Sequence, residues 1–498
     1  MDSSAGVATG PNTTDRRFVW SVHIECTKGR TNDHGMRLTS KPGRTVATVT
    51  VLAATAALSV VPAQARTAEA EATGHCARES KIRVPRAEVQ ETACLDDLTT
   101  AGTVLSGHTN PNDWSGLHAA GTENPSGVSG IQVDGYFPDD STSNTNNGWN
   151  HDSQFVIRLP DDWNGGLVVA GAPGVRAQYA NDFIISDWVL SKGYAFASTD
   201  KGNVGASFYK DGSKPGGSIA EWNRRVTQLT RAAKAVVKDR YRARPARSYM
   251  FGISNGGYLT RWQLENQPRL YDGGVDWEGT LFRAEGPNLM NYLPTALKEY
   301  PKYAATRDES AHDAMIEAGF AERSEFLWAF HHSYYWDLTQ RIYREEFDPE
   351  YDGDLDAGIP FCISGTPNCD ADYDYASRPE SVKRAVRSVE LSGDIGKPML
   401  TIHGSLDALL PPATDSDVYD GLVEEAGASN KHRYYTIEDG THTDGLYSLY
   451  PDRLRPLLPC ARTAFDVLTS WVEDSATPPG DGFYPRPGGG DLVNTCTL

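Results

Sequence analysis

The sequence predicts an α/β fold, a mostly parallel eight-stranded sheet with helical connections and a large helical insertion between the sixth and seventh strands. Three observations predict it. Apolar runs of strand length alternate with helix-periodic stretches, which is the pattern of a sheet covered by helices. The turn Gly252-Ile253-Ser254-Asn255-Gly256 joins one such run to a helix, and Asp407 and His442 follow in that order, each just beyond a strand.

The start of the chain is expected to lie outside this fold. Residues 36–44 are basic, 45–61 are apolar and small, and Ala63-Gln64-Ala65 has the small-x-small form of a signal-peptidase site. The segment 36–65 therefore reads as a signal peptide and the mature protein as secreted. Residues 1–35 are polar and without periodicity, and we expect them to be a disordered upstream over-extension of the reading frame, with Met36 the true start.

Export fits the cysteines. Setting Cys26 aside leaves Cys76, Cys94, Cys362, Cys369, Cys460 and Cys496, an even number suited to an oxidising compartment. Sequence alone leaves every connectivity open, and loop proximity makes Cys76 with Cys94, Cys362 with Cys369 and Cys460 with Cys496 the economical pairing. No Cys-x-x-Cys motif suggests zinc or redox work.

The core is expected over 66–279 and 397–475. Segments 131–137 and 154–159 read as an antiparallel start, followed by strands at 167–170, 194–198, 249–252, 274–277, 399–403 and 434–437. A helix from Ser218 to about Tyr241 carries Ile219, Trp222, Val226, Leu229, Ala232 and Val236 on one face and precedes the strand that leads to Ser254. The tail 476–498, rich in proline and glycine, reads as an extended arm.

The glycine-flanked serine is where chemistry is expected. The run Ser248-Tyr249-Met250-Phe251 is apolar, and Tyr258, Leu259, Trp262 and Leu264 follow the turn at helical spacing. A serine in such a turn adopts strained backbone geometry and stands exposed, while small residues two before and two after let strand and helix approach. A free hydroxyl is a poor nucleophile, so an imidazole must take its proton and a carboxylate must fix the imidazole. His442 is the base and Asp407 the acid in this reading. Asp439 and Asp444 compete with Asp407, and His331, His332, His403 and His432 compete less well with His442, because only Asp407 and His442 each follow their own strand at the right place in the order. The oxyanion hole is assigned to the backbone N–H of Asn255 and to the glycine-containing loop 171–175, at Gly174 or Val175.

With these motifs in order, the chain resembles the α/β-hydrolase superfamily and, within it, secreted bacterial tannase and feruloyl-esterase-like hydrolases, with 3-hydroxybutyrate oligomer hydrolases as neighbours. The likeness rests on 153–160, 187–203, 252–257 and Gly440-Thr441-His442-Thr443-Asp444-Gly445. It implies an ester hydrolase working through an acyl-enzyme, on phenolic esters or on polyester and hydroxyalkanoate oligomers. One departure is plain: cysteines directly precede the serine and histidine in the fungal pattern, whereas Ile253 and Thr441 stand here. A serine aminopeptidase of the same fold is the enzymatic alternative, and an inactive binding protein the non-enzymatic one.

The insertion, 280–396, is about a hundred residues and too long for a plain crossover, so it is expected to be a lid. It carries Phe326, Trp328, Phe330, Tyr334, Tyr335, Trp336, Tyr343 and Phe347. Most of these rings are expected to form the lid's own core, with Phe330 and Trp336 offered as pocket residues. Trp277 and Glu278, at the tip of the sixth strand, are further substrate-facing candidates. An acidic stretch contains Asp348, Asp352 and Asp354; it reads first as a solvated loop and second as a structural calcium site, and the EF-hand pattern fails because Ile359 stands at its twelfth position. No cofactor is required by the chemistry.

The formal net charge of -19, from 47 Lys plus Arg against 66 Asp plus Glu, argues against nucleic-acid and anionic-membrane surfaces. No apolar segment after the signal is long enough to span a bilayer. The expected partner is an ester substrate, and oligomeric state is left open.

Overall fold

Residues 82–351 and 370–498 are described by the computed structural model. Ten strands form one sheet: β1 (Val89–Leu95), β2 (Gly130–Tyr136), β3 (Gln154–Pro160), β4 (Gly166–Gly171), β5 (Ala195–Thr199), β6 (Arg247–Ile253), β7 (Gly273–Trp277), β8 (Met399–Gly404), β9 (His432–Ile437) and β10 (Gly482–Tyr484). Their order across the sheet is β1-β2-β3-β5-β4-β6-β7-β8-β9-β10. Pairings are antiparallel from β1 through β3 to β5 and parallel from β5 to β10. The eight expected strands are β2 to β9.

Two edge strands correct the expected count of eight. β1 lies before the first strand we read, and its half-buried, alternating sequence gives a weak signal. β10 belongs to the tail, where composition suggested an extended arm; Gly482, Phe483 and Tyr484 instead pair in parallel with Tyr435, Thr436 and Ile437. The tail is further held by the Cys460–Cys496 disulfide. Cys94 is also disulfide-bonded. Cys76, Cys362 and Cys369 lie outside the described residues, as do the expected leader and over-extension.

The helices are α1 (Thr100–Leu105), α2 (Asp187–Ser191), α3 (Gly217–Tyr241), α4 (Asn255–Asn266), α5 (Leu289–Thr306), α6 (Glu309–Glu317), α7 (Glu325–Tyr334), α8 (Trp336–Phe347), α9 (Glu380–Arg387), α10 (Ser416–Glu425) and α11 (Leu458–Asp474). Alternation along the central strands divides the core between two faces. Leu167 and Val169 of β4 join Ile219, Trp222, Val226 and Leu229 of α3. Val168 and Ala170 face the other way, with Phe465 and Leu468 of α11. Among the described residues no helix is long and apolar enough to cross a membrane.

α5 to α9 fall between β7 and β8, so the helical insertion is where the long interval put it. Some of its aromatic residues pack within it, Trp336 being fully buried with Phe320 at 5.3 Å and Tyr300 at 5.8 Å between ring centroids, whereas Tyr343 lies against Phe208 and Phe326 against Tyr450 of the body. α8 also grips the body. Glu346 accepts from the N–H groups of Ser218 and Ile219 at 3.0 and 3.2 Å, capping α3, which has no capping side chain of its own.

A buried polar network ties α4 to the strands beside it. Arg261 donates to Asp276 Oδ2 at 2.7 Å, Asp415 Oδ1 at 2.9 Å and Ser416 Oγ at 2.8 Å. Asp415 in turn accepts from Leu281 N at 2.8 Å and Asp276 from Gly279 N at 2.9 Å. Breaking such a pair strands a charge in the interior. Arg261→Ala is therefore expected to lower unfolding free energy by about 3–5 kcal/mol in urea titration; a loss below about 1 kcal/mol, the value of a surface pair, would contradict this account.

Candidate active site

The turn between β6 and α4 holds the central side chain. Ser254 sits at φ 59° and ψ -123°, a conformation that L residues rarely adopt. The glycines around it are sterically required. A Cβ on Gly252 would come within 2.3 Å of the Gly256 backbone, and one on Gly256 within 2.7 Å of the Gly171 carbonyl. Strand and helix thus meet with no room for a methyl group, and the residue between them is forced outward. Ser254 is half-buried while its neighbours from Phe251 to Arg261 are buried.

His442 and Asp407 converge on it from the loops after β9 and β8. His442 Nε2 is 3.1 Å from Ser254 Oγ, and its Nδ1 is 2.7 Å from Asp407 Oδ2. The carboxylate accepts, so Nδ1 carries the hydrogen and Nε2 is left to accept from the serine. Asp407 Oδ1 accepts from Leu409 N and Leu410 N at 2.7 and 3.0 Å, which fixes the carboxylate plane. Burial alone would push the Asp407 carboxyl up. The charge and hydrogen bonds of His442 and His403 override this and hold it well below the usual carboxylate range.

The competing residues are committed elsewhere. Asp444 accepts from Leu457 N and Leu458 N at 2.6 and 2.8 Å, capping α11, and burial pushes it up to about 7. Asp439 pairs with Arg323 at 2.8 Å. His432 bonds Asp420 and Thr401. His403 donates from Nε2 to the Leu410 carbonyl at 2.8 Å, lies 3.3 Å from Asp407 Oδ2, and meets Ser416 Oγ through Nδ1 at 2.6 Å. It joins the acid loop to the Arg261 network.

The loop after β4 faces the start of α4. Asn255 donates through Nδ2 to the Gly174 carbonyl at 2.9 Å and bonds the Tyr343 hydroxyl at 2.7 Å, while Thr280 Oγ1 donates to Asn255 Oδ1 at 3.0 Å. Because a trans peptide points its C=O and N–H in opposite directions, the Val175 N–H is turned away from that side chain. Among the described residues neither Gly174 N nor Val175 N has a hydrogen-bond partner. Lys201, unremarked in sequence, anchors the same loop: it is fully buried and donates from Nζ to the Ala172 carbonyl at 2.8 Å. Burial pushes its ammonium down to about 7.

Trp277 and Glu278 are not exposed at the tip of β7. Trp277 is fully buried in the apolar cluster with Phe251, Ile253 and Val275, and contributes its carbonyl, which accepts from Ser254 N at 2.9 Å. The intervals near a strand end do not distinguish a side chain facing the cleft from one facing α11. Glu278 is fully buried, at φ 50°, with Oε2 accepting from Gly404 N at 3.0 Å. Burial and then the Asp407 charge push its carboxyl well above the usual range.

In the lid, Trp336 is enclosed and donates from Nε1 to the Ala408 carbonyl at 2.7 Å, beside Asp407. Phe330 is half-buried, 5.0 Å from Tyr334 between ring centroids. His331, set below His442 in the sequence reading because it follows no strand, is buried within reach of the Asp407 and His442 charges. Only the tertiary fold reveals that.

Of the calcium candidates, Asp352 and Asp354 lie outside the described residues. Asp348 accepts from Arg378 Nε at 2.6 Å and from the Tyr373 hydroxyl at 3.1 Å, so its charge is already matched. Glu278, Asp407 and His442 offer ligand atoms within 4.8 Å of one another, as do Asp139, Asp211 and Glu221. The first group contains the hydrogen-bonded Asp407–His442 pair, and in the second Asp139 pairs with Arg225 at 2.7 Å.

Residues 141–276 match the family described as tannase and feruloyl esterase, and residues 364–494 match 3HB-oligomer hydrolase. A D-(-)-3-hydroxybutyrate oligomer hydrolase of Cupriavidus pinatubonensis is 33% identical over 127 residues, 24% of this chain and 18% of that protein. Its counterpart from Cupriavidus necator is 34% identical over 102 residues, 20% of this chain and 14% of that protein. The chain thus spans less than a fifth of the length of these relatives. Among solved structures, feruloyl esterase B from Aspergillus oryzae superposes with a TM-score of 0.45 at 13% identity, covering 81% of this chain and 90% of that one. Tannin acyl hydrolase from Aspergillus niger gives 0.44 at 14% identity, covering 78% and 83%. The strand order and the β6–α4 turn are those of an α/β-hydrolase fold, and the chain is similar to tannases and feruloyl esterases over 141–276 and to 3HB-oligomer hydrolases over 364–494.

Proposed function

We propose that the protein is a secreted serine carboxylic ester hydrolase working through an acyl-enzyme. The observation that carries this is the continuous line from Ser254 Oγ to His442 at 3.1 Å and from His442 to Asp407 at 2.7 Å. Ser254 Oγ attacks the ester carbonyl as its proton passes to His442 Nε2, and Asp407 stabilises the imidazolium that forms. The tetrahedral oxyanion is held by the N–H of Asn255 and that of Val175, the Gly174 side of that peptide being tied to Asn255. His442 returns the proton to the leaving alkoxide, the C–O bond breaks, and the acyl group remains on Ser254. A water, deprotonated by His442, then adds to the acyl carbonyl and releases the acid.

The family matches support two substrate classes, phenolic esters and hydroxyalkanoate oligomers. An acidic pair holding a free amine, with Glu278 as one member, would favour the aminopeptidase alternative; Glu278 is enclosed, which does not favour it. The disulfide bonding of Cys94, Cys460 and Cys496 supports export. The position of the insertion between β7 and β8, with Trp336 bonded beside Asp407, supports its role as a lid.

Ser254→Ala and His442→Ala are expected to remove nearly all turnover of p-nitrophenyl esters with the melting temperature retained. Asp407→Asn should lower kcat on the order of 10⁴-fold by imposing the wrong tautomer. Substantial turnover by Ser254→Ala, or labelling of another residue by a serine-directed phosphonate, contradicts the assignment. Asn255→Ala releases the Gly174 carbonyl and should lower kcat by about 10²-fold with KM nearly unchanged. A rise in KM alone would show that Asn255 serves binding instead of the oxyanion loop.

A further inference from the structure

The stretch 171–175 can offer N–H groups to an oxyanion only while its carbonyls are held the other way, and each of those carbonyls has a donor. Asn181 Nδ2 donates to Gly171 at 3.0 Å, Lys201 Nζ to Ala172 at 2.8 Å, and the Arg176 N–H to Pro173 at 3.1 Å. Asn255 Nδ2 donates to Gly174 at 2.9 Å and the Gly205 N–H to Val175 at 2.8 Å. Among the described residues the N–H groups of Gly174 and Val175 have no partner. The donors to Gly171, Ala172, Pro173 and Val175 lie between 176 and 205, close to the loop in the chain. The donor to Gly174 stands apart, beside Ser254 at the start of α4.

That Asn255 amide is itself held from the insertion. Its Nδ2 carries two hydrogens, of which one goes to the Gly174 carbonyl and the other to the Tyr343 hydroxyl at 2.7 Å. The phenol oxygen also lies 3.0 Å from Asn255 Oδ1, which accepts from Thr280 Oγ1 at 3.0 Å. Turning the amide over would set its oxygen against the Gly174 oxygen, two acceptors facing each other. Tyr343 is buried on α8, its ring centroid 5.6 Å from that of Phe208 and 5.7 Å from that of Phe282. About two turns earlier on the same face of α8, Trp336 donates to the Ala408 carbonyl beside Asp407. One helix of the insertion therefore touches both the loop of the acid and the side chain that orients the oxyanion loop.

We propose that Tyr343 is a positioning residue through which the insertion sets the oxyanion loop: its hydroxyl fixes the Asn255 amide, the amide fixes the Gly174 carbonyl, and the Val175 N–H is thereby aimed at the reacting carbonyl. The inference rests on the ester-hydrolase reading above. Without the phenol oxygen, one hydrogen of a buried amide has no acceptor, and the amide loses the contact that fixes its rotation. The Gly174–Val175 peptide then gains freedom at the place where charge develops. Such a loss is felt in the transition state, when the oxyanion forms, more than in the binding of the neutral ester. Tyr343 touches neither the substrate nor the reacting atoms and acts through Asn255.

The test compares the full mature protein with Tyr343→Phe, Asn255→Ala and the double variant, on p-nitrophenyl acetate and p-nitrophenyl butyrate. Tyr343→Phe should lower kcat by about 5- to 20-fold on both esters, with KM within about 3-fold of the parent. It should weaken a trifluoromethyl ketone by the same factor. That inhibitor takes Ser254 Oγ onto its carbonyl carbon, the serine proton passing to His442 and the carbonyl oxygen becoming an oxyanion. The double variant should fall within about 2-fold of Asn255→Ala alone, because one residue acts through the other. Amide hydrogen exchange, read by mass spectrometry, needs no turnover: peptides covering 171–177 should exchange faster in both single variants while those covering β6 stay unchanged. Multiplied losses in the double variant, a change confined to KM, a kcat within about 2-fold of the parent, or unchanged exchange over 171–177 overturns the proposal. So does faster exchange in β6 with a lower melting temperature, the mark of a merely structural tyrosine. A parent protein that turns over no ester sinks the ester-hydrolase reading instead, and the exchange measurement still decides whether Tyr343 holds the loop.

Discussion

The close approach of β6 and α4 is the constraint on which the rest of the site depends. Ser254 can occupy φ 59° only because Gly252 and Gly256 leave nothing between strand and helix, and because Gly171 lets β4 lie against the same turn. The energy stored in that backbone, of order 1–3 kcal/mol, must be over-determined by its surroundings. The Trp277 carbonyl accepts from Ser254 N, and the Ser254 carbonyl accepts from Tyr258 N at 2.9 Å, so the turn is held from β7 and from within α4. The same geometry frees the first N–H groups of α4, which become available to an anion.

From that turn outward, order is carried by buried polar groups more than by apolar packing. Arg261, about two helical turns beyond Ser254, bridges Asp276 on β7 with Asp415 and Ser416 at the start of α10. Ser416 hands on to His403, and His403 to the Asp407 loop. A buried ion pair is weak evidence for stability, since an apolar replacement of both partners often does as well. What it supplies here is register. α4, the strand beside it and the Asp407 loop cannot shift independently without leaving a charge unmatched in the interior.

The sequence was most informative where one residue type has one job. Glycines at 252 and 256, a proton acceptor after one strand and a carboxylate after another, and apolar runs of strand length located the three side chains that the fold brings together. It was silent where the role is set by tertiary contact. Trp277 looked substrate-facing because strand ends line such sites, but the side-chain alternation of β7 turns it into the core. Tyr484 pairs with a strand nearly fifty positions away, which composition rich in proline and glycine could not announce. His331 and Lys201 carry no local signal at all, because a histidine among aromatics and a lysine after a strand are ordinary in sequence and become exceptional only when both are enclosed.

The arrangement of carboxyls behind His442 explains how one of them stays ionised. Glu278 and Asp407 present oxygens within 4.8 Å of each other and of the imidazole, and two buried carboxylates so near cannot both carry charge. The environment separates them. Asp407 accepts two backbone N–H groups and faces two histidines, all favouring its anion, whereas Glu278 has one backbone donor and one oxygen without a partner. Burial and the Asp407 charge push the Glu278 carboxyl up, while the partners of Asp407 hold its carboxyl down. The surroundings thus favour an anion on Asp407, the residue that touches His442, over one on Glu278, enclosed at the end of β7.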